Sequence, residues 1–377
     1  MFTRAASCRA TYCWAINANV DPVAIDAVHD SLKKQQRACA HLGSDFYEKV
    51  LDVLARDYFN GGITCDLLNG VSDRPLHDAL PLRLLGGLHA IALSEVDTEL
   101  SSQFPSIGGT PDGALQAVVL ASLNRHKEAL SQSVRQNVQT NEVGRSLVAM
   151  SIARWLPSLG ATTCRWFEVG ASAGLNLNFP HFHASTGTTE MGDPASAISF
   201  GPDWFAASPP HGSSAECVEL RGCDPFPINV TDVSQQRKLL GFVWPDQTAR
   251  LSRLRHAIDI AITHPPRVDR AEAGPWLASF DVSPQHDGQA TVVYHSIVWQ
   301  YMSPKSRQAF LHQLQLLGET SSHARPVVWA RMEPAGDTAD IKATVWTSGD
   351  KPRQVELGHV GYHGQNLHWS PRDLVEG

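Results

Sequence analysis

The sequence has no apolar run approaching the length of a membrane-spanning helix, no dense basic tract and no CxxC pair. The first absence excludes a helical span, which needs about 20 apolar residues. The second argues against a nucleic-acid partner. Charged residues are 18% of 377, the net charge is −7, and Lys33-Lys34 is the longest lysine pair. Seven cysteines are an odd number without metal-ligand spacing, so they read as reduced thiols of a cytoplasmic protein rather than a disulfide framework. Internal repeats and low-complexity tracts are also missing. The 17 histidines include His181-x-His183 and His359, His363 and His368, yet no tight set gains a third ligand, so no metal is expected. Residues 1–20 lack acids and carry Arg4 and Arg9, but Arg, Asn, Cys and Tyr interrupt any apolar targeting core. They read as a disordered leader.

What is there changes character once along the chain. Residues 21–157 read as an all-α domain. Ser44 caps a segment whose Tyr47, Val50, Leu51, Leu54 and Tyr58 share a face, stopped by Gly61-Gly62, and Leu84, Leu85, Leu88, Ile91 and Ala92 form a second stripe. From 158 to 377, strands alternate with helices, which implies a parallel sheet with crossover helices. The boundary is expected near Pro157–Gly160. Within the second domain, residues 179–215 are rich in turn formers and read as an inserted hairpin or lid. Asp246, in Trp244-Pro-Asp-Gln247, reads as the cap of a helix through Ile262. Ile341–Trp346 and a strand around Gly358–Trp369, with Gly349-Asp350 between them, read as a closing antiparallel hairpin.

The chain is organised around residues 163–178, TCRWFEVGASAGLNLN. Thr163–Val169 has the composition of a buried strand. Gly170 to Gly174 are five small residues that let the backbone turn sharply and a ligand come close, and Leu175-Asn176-Leu177 opens a helix. Strand, tight turn and helix N-terminus together make an anion- or nucleotide-binding corner. Two patterns fit this turn. Gly170-x-Ser172-x-Gly174 matches the nucleophile elbow of serine hydrolases, although about 160 mostly helical residues precede it and no HGGG-type loop is present. It also resembles motif I of the class I S-adenosylmethionine (SAM)-dependent methyltransferases, with Glu168 on the strand and Ser172 in place of the middle glycine.

Other strand ends carry polar groups. Asp224 closes the second strand, where an acid accepts hydrogen bonds from ribose hydroxyls. Glu272 ends the third. Thr291–Tyr294 is an apolar strand running out into His295 and Ser296, and the fifth strand ends in Glu333. His295 is an acid–base candidate at neutral pH, with Ser296 and Glu333 placed to fix its tautomer. Asn141, Glu142 and Arg145 put three polar groups on one turn before a helix, either as caps and an exposed ion pair or as groups facing the site, with Thr140 as a possible N-cap.

These units look like a class I methyltransferase core, a Rossmann-like doubly wound sheet with a C-terminal antiparallel hairpin, preceded here by an all-α domain. The strings PLRLLGGLHAIALS, VQTNEVGRS, FEVGASAGLNL, RGCDPFPIN, WPDQTARL, VVYHSIVWQYM and WARMEP further resemble a bacterial family known only as a domain of unknown function with a helical N-terminal half. The resemblance implies SAM as cofactor. Glu168, Gly170, Ser172 and Gly174 would then line the methionine and ribose side, Asp224 would hold the ribose, and Glu272 would meet the adenine amino group. On the acceptor side it leaves His295 and Glu333 as catalytic candidates, with Ser296, Asn141, Glu142 and Arg145 beside a small-molecule substrate. A SAM- or nucleotide-binding protein without turnover is the alternative, and a hydrolase using Ser172 is a further one.

Overall fold

The computed structural model describes the backbone of residues 22–207, 209, 212–348 and 351–374, with side chains from residue 27. The expected leader at 1–20 and the Gly349-Asp350 turn lie outside these residues. The chain divides into two compact units: the described residues of Met1–Thr140 with Asp232–Ser252, and those of Asn141–Thr231 with Arg253–Gly377. The change of pattern in the sequence near residue 157 falls later than this division. The helix before it is buried on every side because it belongs to the second unit, and Asp232–Ser252 returns to the first.

The first unit is helical. Its helices are α1 (Pro22–His41), α2 (Asp45–Phe59), α3 (Ile63–Leu68), α4 (Leu80–Leu93), α5 (Thr98–Ser101), α6 (Leu115–Arg125) and α7 (Lys127–Ser133). Ser44 caps α2 as expected, its Oγ accepting from the Tyr47 N–H at 3.3 Å. Val50, Leu51, Leu54 and Tyr58 of α2 join Leu84, Leu85 and Leu88 of α4 in one apolar core. Asp246 is a correction. Its carboxylate accepts from Ser44 Oγ at 2.7 Å and from the Phe46 N–H at 3.1 Å, so it caps α2 rather than its own helix. Among the described residues no helix is long and apolar enough to cross a membrane.

The second unit opens with α8 (Ser146–Trp155) and β1 (Thr163–Val169). The segment 179–215 contributes β2 (His183–Ser185), β3 (Glu190–Gly192) and β4 (Ser199–Phe200), a small separate sheet, and β5 (Phe205–Ala207). Then come β6 (Glu216–Asp224), β7 (Val268–Arg270), β8 (Gln289–Ser296), β9 (Val327–Ala335), β10 (Thr338–Trp346), β11 (Arg353–Val360) and β12 (Leu367–Asp373). Between them in the chain lie α9 (Val233–Gly241), which belongs to the first unit, α10 (Thr248–Thr263), which begins in the first unit and ends in the second, α11 (Ala273–Leu277) and α12 (Pro304–Glu319). The large sheet has nine strands in the order β5-β12-β11-β10-β9-β8-β1-β6-β7. Its five parallel strands, counted along the chain, stand in the order 3-2-1-4-5, and the order reverses beside β1. The result is a mixed α/β unit with a large, mostly parallel sheet. The closing element differs from the expected hairpin: Gly358–Trp369 is broken by the Gly361–Gly364 turn, giving a three-strand antiparallel meander, β10-β11-β12.

Alternation along the strands decides which side chains can meet. Phe167 and Val293 pack with Trp276, Phe310 and Leu314 on the face covered by α11 and α12. Trp166 and Tyr294 point to the other face, where both rings contact each other and Phe179 lies against Trp166.

Candidate functional site

At the carboxyl end of β1 the chain makes its tight turn. Gly170, Ser172 and Gly174 all have left-handed backbone, φ 72°, 55° and 73°. Ser172 is the one non-glycine of the three, and its backbone is held at both ends. Its N–H donates to Asp224 Oδ2 at 3.0 Å, and its carbonyl accepts from the Ile228 N–H at 3.2 Å. Asp224 Oδ1 accepts from the Phe226 N–H at 2.8 Å. Asp224 therefore ties the end of β6 to the turn after β1.

Two expectations about this corner change. The element after the turn is a 3-10 helix, Leu175–His181, containing Pro180, and its Leu175 N–H is taken by Asn141 Oδ1 at 3.0 Å. No α-helix N-terminus is offered to an anion. The space above the glycines is also filled from within: a Cβ at Gly170 would clash with Val298, and one at Gly174 would lie 2.6 Å from Val268 Cγ2. The small residues are demanded by packing here.

Polar groups on the same side are left unmatched. Glu168 is 3% exposed. Burial pushes its carboxyl up to about 8, against the pull of Arg145 and with the help of the Asp224 charge. Its Oε2, Ser172 Oγ and Asn176 Oδ1 are buried without hydrogen-bond partners, although buried polar atoms in folded proteins are usually satisfied.

The 141–145 turn faces this corner and is not an exposed ion pair. Arg145 Nε donates to the Tyr362 carbonyl at 3.0 Å and Nη1 to the Ser296 carbonyl at 3.4 Å. Asn176 Nδ2 donates to the Glu142 carbonyl at 3.3 Å, and Glu142 Oε2 pairs with His363 Nδ1 at 3.1 Å. Glu142, not Thr140, caps the following short helix, through the Gly144 N–H. Gly144 and Gly364 lie backbone against backbone, each where a Cβ would strike the other turn.

His295 and Glu333 belong to a second group. His295 pairs in register with Arg331 and Ser296 with Met332, so His295, Arg331 and Glu333 lie on the α12 face, opposite Glu168, Tyr294 and Ser296. Ser296 therefore does not fix the imidazole; Glu333 does. Its Oε1 takes three donors: His295 Nδ1 at 2.7 Å, the Val298 N–H at 3.0 Å and the Trp299 N–H at 3.2 Å. These N–H groups converge because Ile297 adopts φ 54°, a left-handed conformation rare for a β-branched residue. With Nδ1 donating to the carboxylate, a neutral imidazole here carries its lone pair on Nε2. Nε2 and Glu333 Oε2 have no partner. Both residues line a cavity of about 370 Å³ shared with Trp299, Trp329, Arg331 and the Asp340–Lys342 ion pair.

The remaining candidates stand apart. Glu272 lies beyond β7, exposed at the start of α11, and its Oε2 accepts from Ser306 Oγ at 3.0 Å. The acid on β7 itself is Asp269, which holds Arg221 and the Trp276 indole N–H. The histidines are dispersed: His181 stacks on His264 at 4.0 Å, His183 pairs with Glu190, and His359 stacks on His368 at 4.9 Å.

Trp299, Trp329, Arg331, Asp340 and Lys342 did not emerge from the sequence, where tryptophan in an apolar strand reads as core. The signal was parity: Trp329, Arg331 and Glu333 alternate along one strand and must share a face.

The profile of the family described as "Uncharacterized protein conserved in bacteria (DUF2332)" matches residues 29–369. The chain belongs to this family. The match runs through both compact units, so the helical unit is as much a part of the family as the sheet. No curated protein and no solved structure matches the chain.

Proposed function

We propose that this protein is a SAM-dependent methyltransferase acting on a small-molecule acceptor, with its sheet a Rossmann-like doubly wound core of the class I type. The observation that carries the reading is Glu168: a buried carboxyl with an unpartnered oxygen, at the end of the first strand of a 3-2-1-4-5 sheet, where the strand order reverses. Ligands of open α/β sheets gather at that switch point. The residues fit the cofactor by donor chemistry. Glu168 Oε2 suits the methionine ammonium, Ser172 Oγ and Asn176 Oδ1 suit its polar edge, and Asp224 keeps a second lone pair on each oxygen for ribose hydroxyls. Glu272 is the acid on the adenine side. The filled space above Gly170 and Gly174 argues for a ligand held by side-chain oxygens rather than by close backbone approach. When bound, SAM would supply an electrophilic methyl group; His295, oriented by Glu333 on the opposite face of the sheet, is the acid–base candidate for an acceptor that reaches across the strand ends.

The test is thermal. SAM or S-adenosylhomocysteine at 100 times its dissociation constant stabilises the fold by about 2.7 kcal/mol, and Glu168→Ala removes that gain. No melting shift with either compound at millimolar concentration rejects the cofactor. Binding without methyl loss in a metabolite extract leaves the non-catalytic binder as the correct description.

Asp224 provides a separate check. Because its carboxylate holds two backbone N–H groups, one part-buried and one exposed, Asp224→Ala lowers stability without any ligand, by about 1–2 kcal/mol. A urea midpoint equal to that of the parent contradicts the stitched corner.

One observation favours the hydrolase reading: the left-handed Ser172 with its unpartnered Oγ resembles a strained elbow. A triad needs a base on that oxygen, and among the described residues no histidine bonds to it. A fluorophosphonate probe is therefore expected to leave Ser172 unlabelled.

A further inference from the structure

The geometry points to the cavity on the α12 face as a binding site for a planar heteroaromatic amine, a ring carrying two or more N–H donors. This deepens the acceptor side of the function proposed above and rests on that reading only for its place in catalysis. The walls are flat and aromatic. The His295 imidazole lies parallel to Trp299 at 6.0 Å, and Trp329 stands 6.0 Å from Trp299 and 5.9 Å from His295. A volume of about 370 Å³ is at the small-ligand end of the usual range.

The polar atoms select the ligand. The cations are already engaged: Arg331 lies over the Trp329 ring at 4.2 Å and donates to Thr344 Oγ1 at 3.0 Å, and Lys342 is paired with Asp340 at 2.7 Å. What remains unmatched is His295 Nε2, on a side chain with no exposed surface, and Glu333 Oε2. Glu333 Oε2 is an acceptor on a carboxylate, and Nε2 of the neutral imidazole is a second, so an anion would meet a bare negative oxygen while an N–H-rich ring would satisfy both. Trp329 Nε1, also buried and unpartnered, is a donor that suits a ring nitrogen. Ile297 indicates that the arrangement is built: left-handed backbone at a β-branched residue is retained where its surroundings enforce it, and here it aims two N–H groups at the carboxylate that orients His295.

Isothermal titration of the full chain with 2-aminobenzimidazole and 2-aminoquinoline, without SAM, tests this. Both are expected to bind, while naphthalene-2-carboxylate, of similar size but anionic and donor-free, does not. Glu333→Gln keeps a carbonyl oxygen for the turn and turns the other acceptor into a donor, so it weakens binding by about tenfold or more. Trp299→Leu, at a half-buried position, does the same by removing a wall and covers the case in which Glu333→Gln fails to fold. Neither amine binding at millimolar concentration, or equal binding by a folded variant, overturns the assignment. Amine binding without a SAM melting shift leaves this pocket standing and removes the methyltransferase reading; a SAM shift without amine binding does the reverse.

Discussion

Glu333→Ala is expected to destabilise the protein by about 3–5 kcal/mol, near the upper end for a single substitution. One oxygen of this side chain takes the His295 imidazole and two consecutive backbone N–H groups. Truncation leaves the Val298 and Trp299 N–H groups and a fully buried imidazole without their acceptor, and each unmatched buried donor costs about 1–3 kcal/mol. It also removes what holds Ile297 in left-handed backbone, so the 297–303 turn relaxes toward ordinary geometry. Glu333→Gln retains an acceptor for these donors and is expected to cost clearly less. The ordering Ala well below Gln, read from urea midpoints, is the signature of the hydrogen-bonded turn. Equal losses would mean that packing around Trp329, not the hydrogen bonds, gives the position its importance.

This turn also shows why part of the site was hidden in the sequence. The strand Thr291–Ser296 was legible because an unbroken apolar run has few alternatives. The Ser44 cap was legible because capping is local and side-chain specific. The turn at 296–299 has neither glycine nor asparagine to announce a positive φ, and its conformation is imposed by a carboxylate 35 residues from Val298. Asp246 escaped for the same reason: its partners are Ser44 and Phe46, about 200 residues away, and nothing near Asp246 names them. The assignment of Ser296 to His295 failed on a rule that was available, since adjacent residues of a strand face opposite ways. Glu168, Asp224 and the 141–145 turn could be singled out as candidates because strand ends and small-residue turns have local signals, though the sequence could not say that Val298 and Val268 fill the space over the glycines.

Stability is expected to fall as pH rises from about 4.5 to about 8, and Glu168→Gln is expected to remove that fall. Burial raises the Glu168 carboxyl from its ordinary 4.5 to about 8. In the unfolded chain the group loses its proton near the ordinary value, while the folded protein keeps it. Between these limits the folded state binds more protons than the unfolded one, so the favourable contribution of the neutral carboxyl is complete below about 4.5 and drains away on the way to about 8. Each pH unit in that window shifts the folding equilibrium by roughly tenfold. Glutamine is permanently neutral, so the variant should match the parent near pH 4.5 and exceed it increasingly toward pH 8. The same residue links stability to ligand. An ammonium placed on Glu168 favours the carboxylate, so binding near neutral pH should release a proton, tighten as pH rises, and show a calorimetric enthalpy that depends on the ionisation enthalpy of the buffer. The Gln variant should show no buffer dependence and weak binding. A parent protein that is most stable at pH 8, or a ligand that binds without releasing a proton, would mean that Glu168 is ionised in the folded chain, held so by Arg145, and that the corner is an internal ion pair and not a site waiting for a cation.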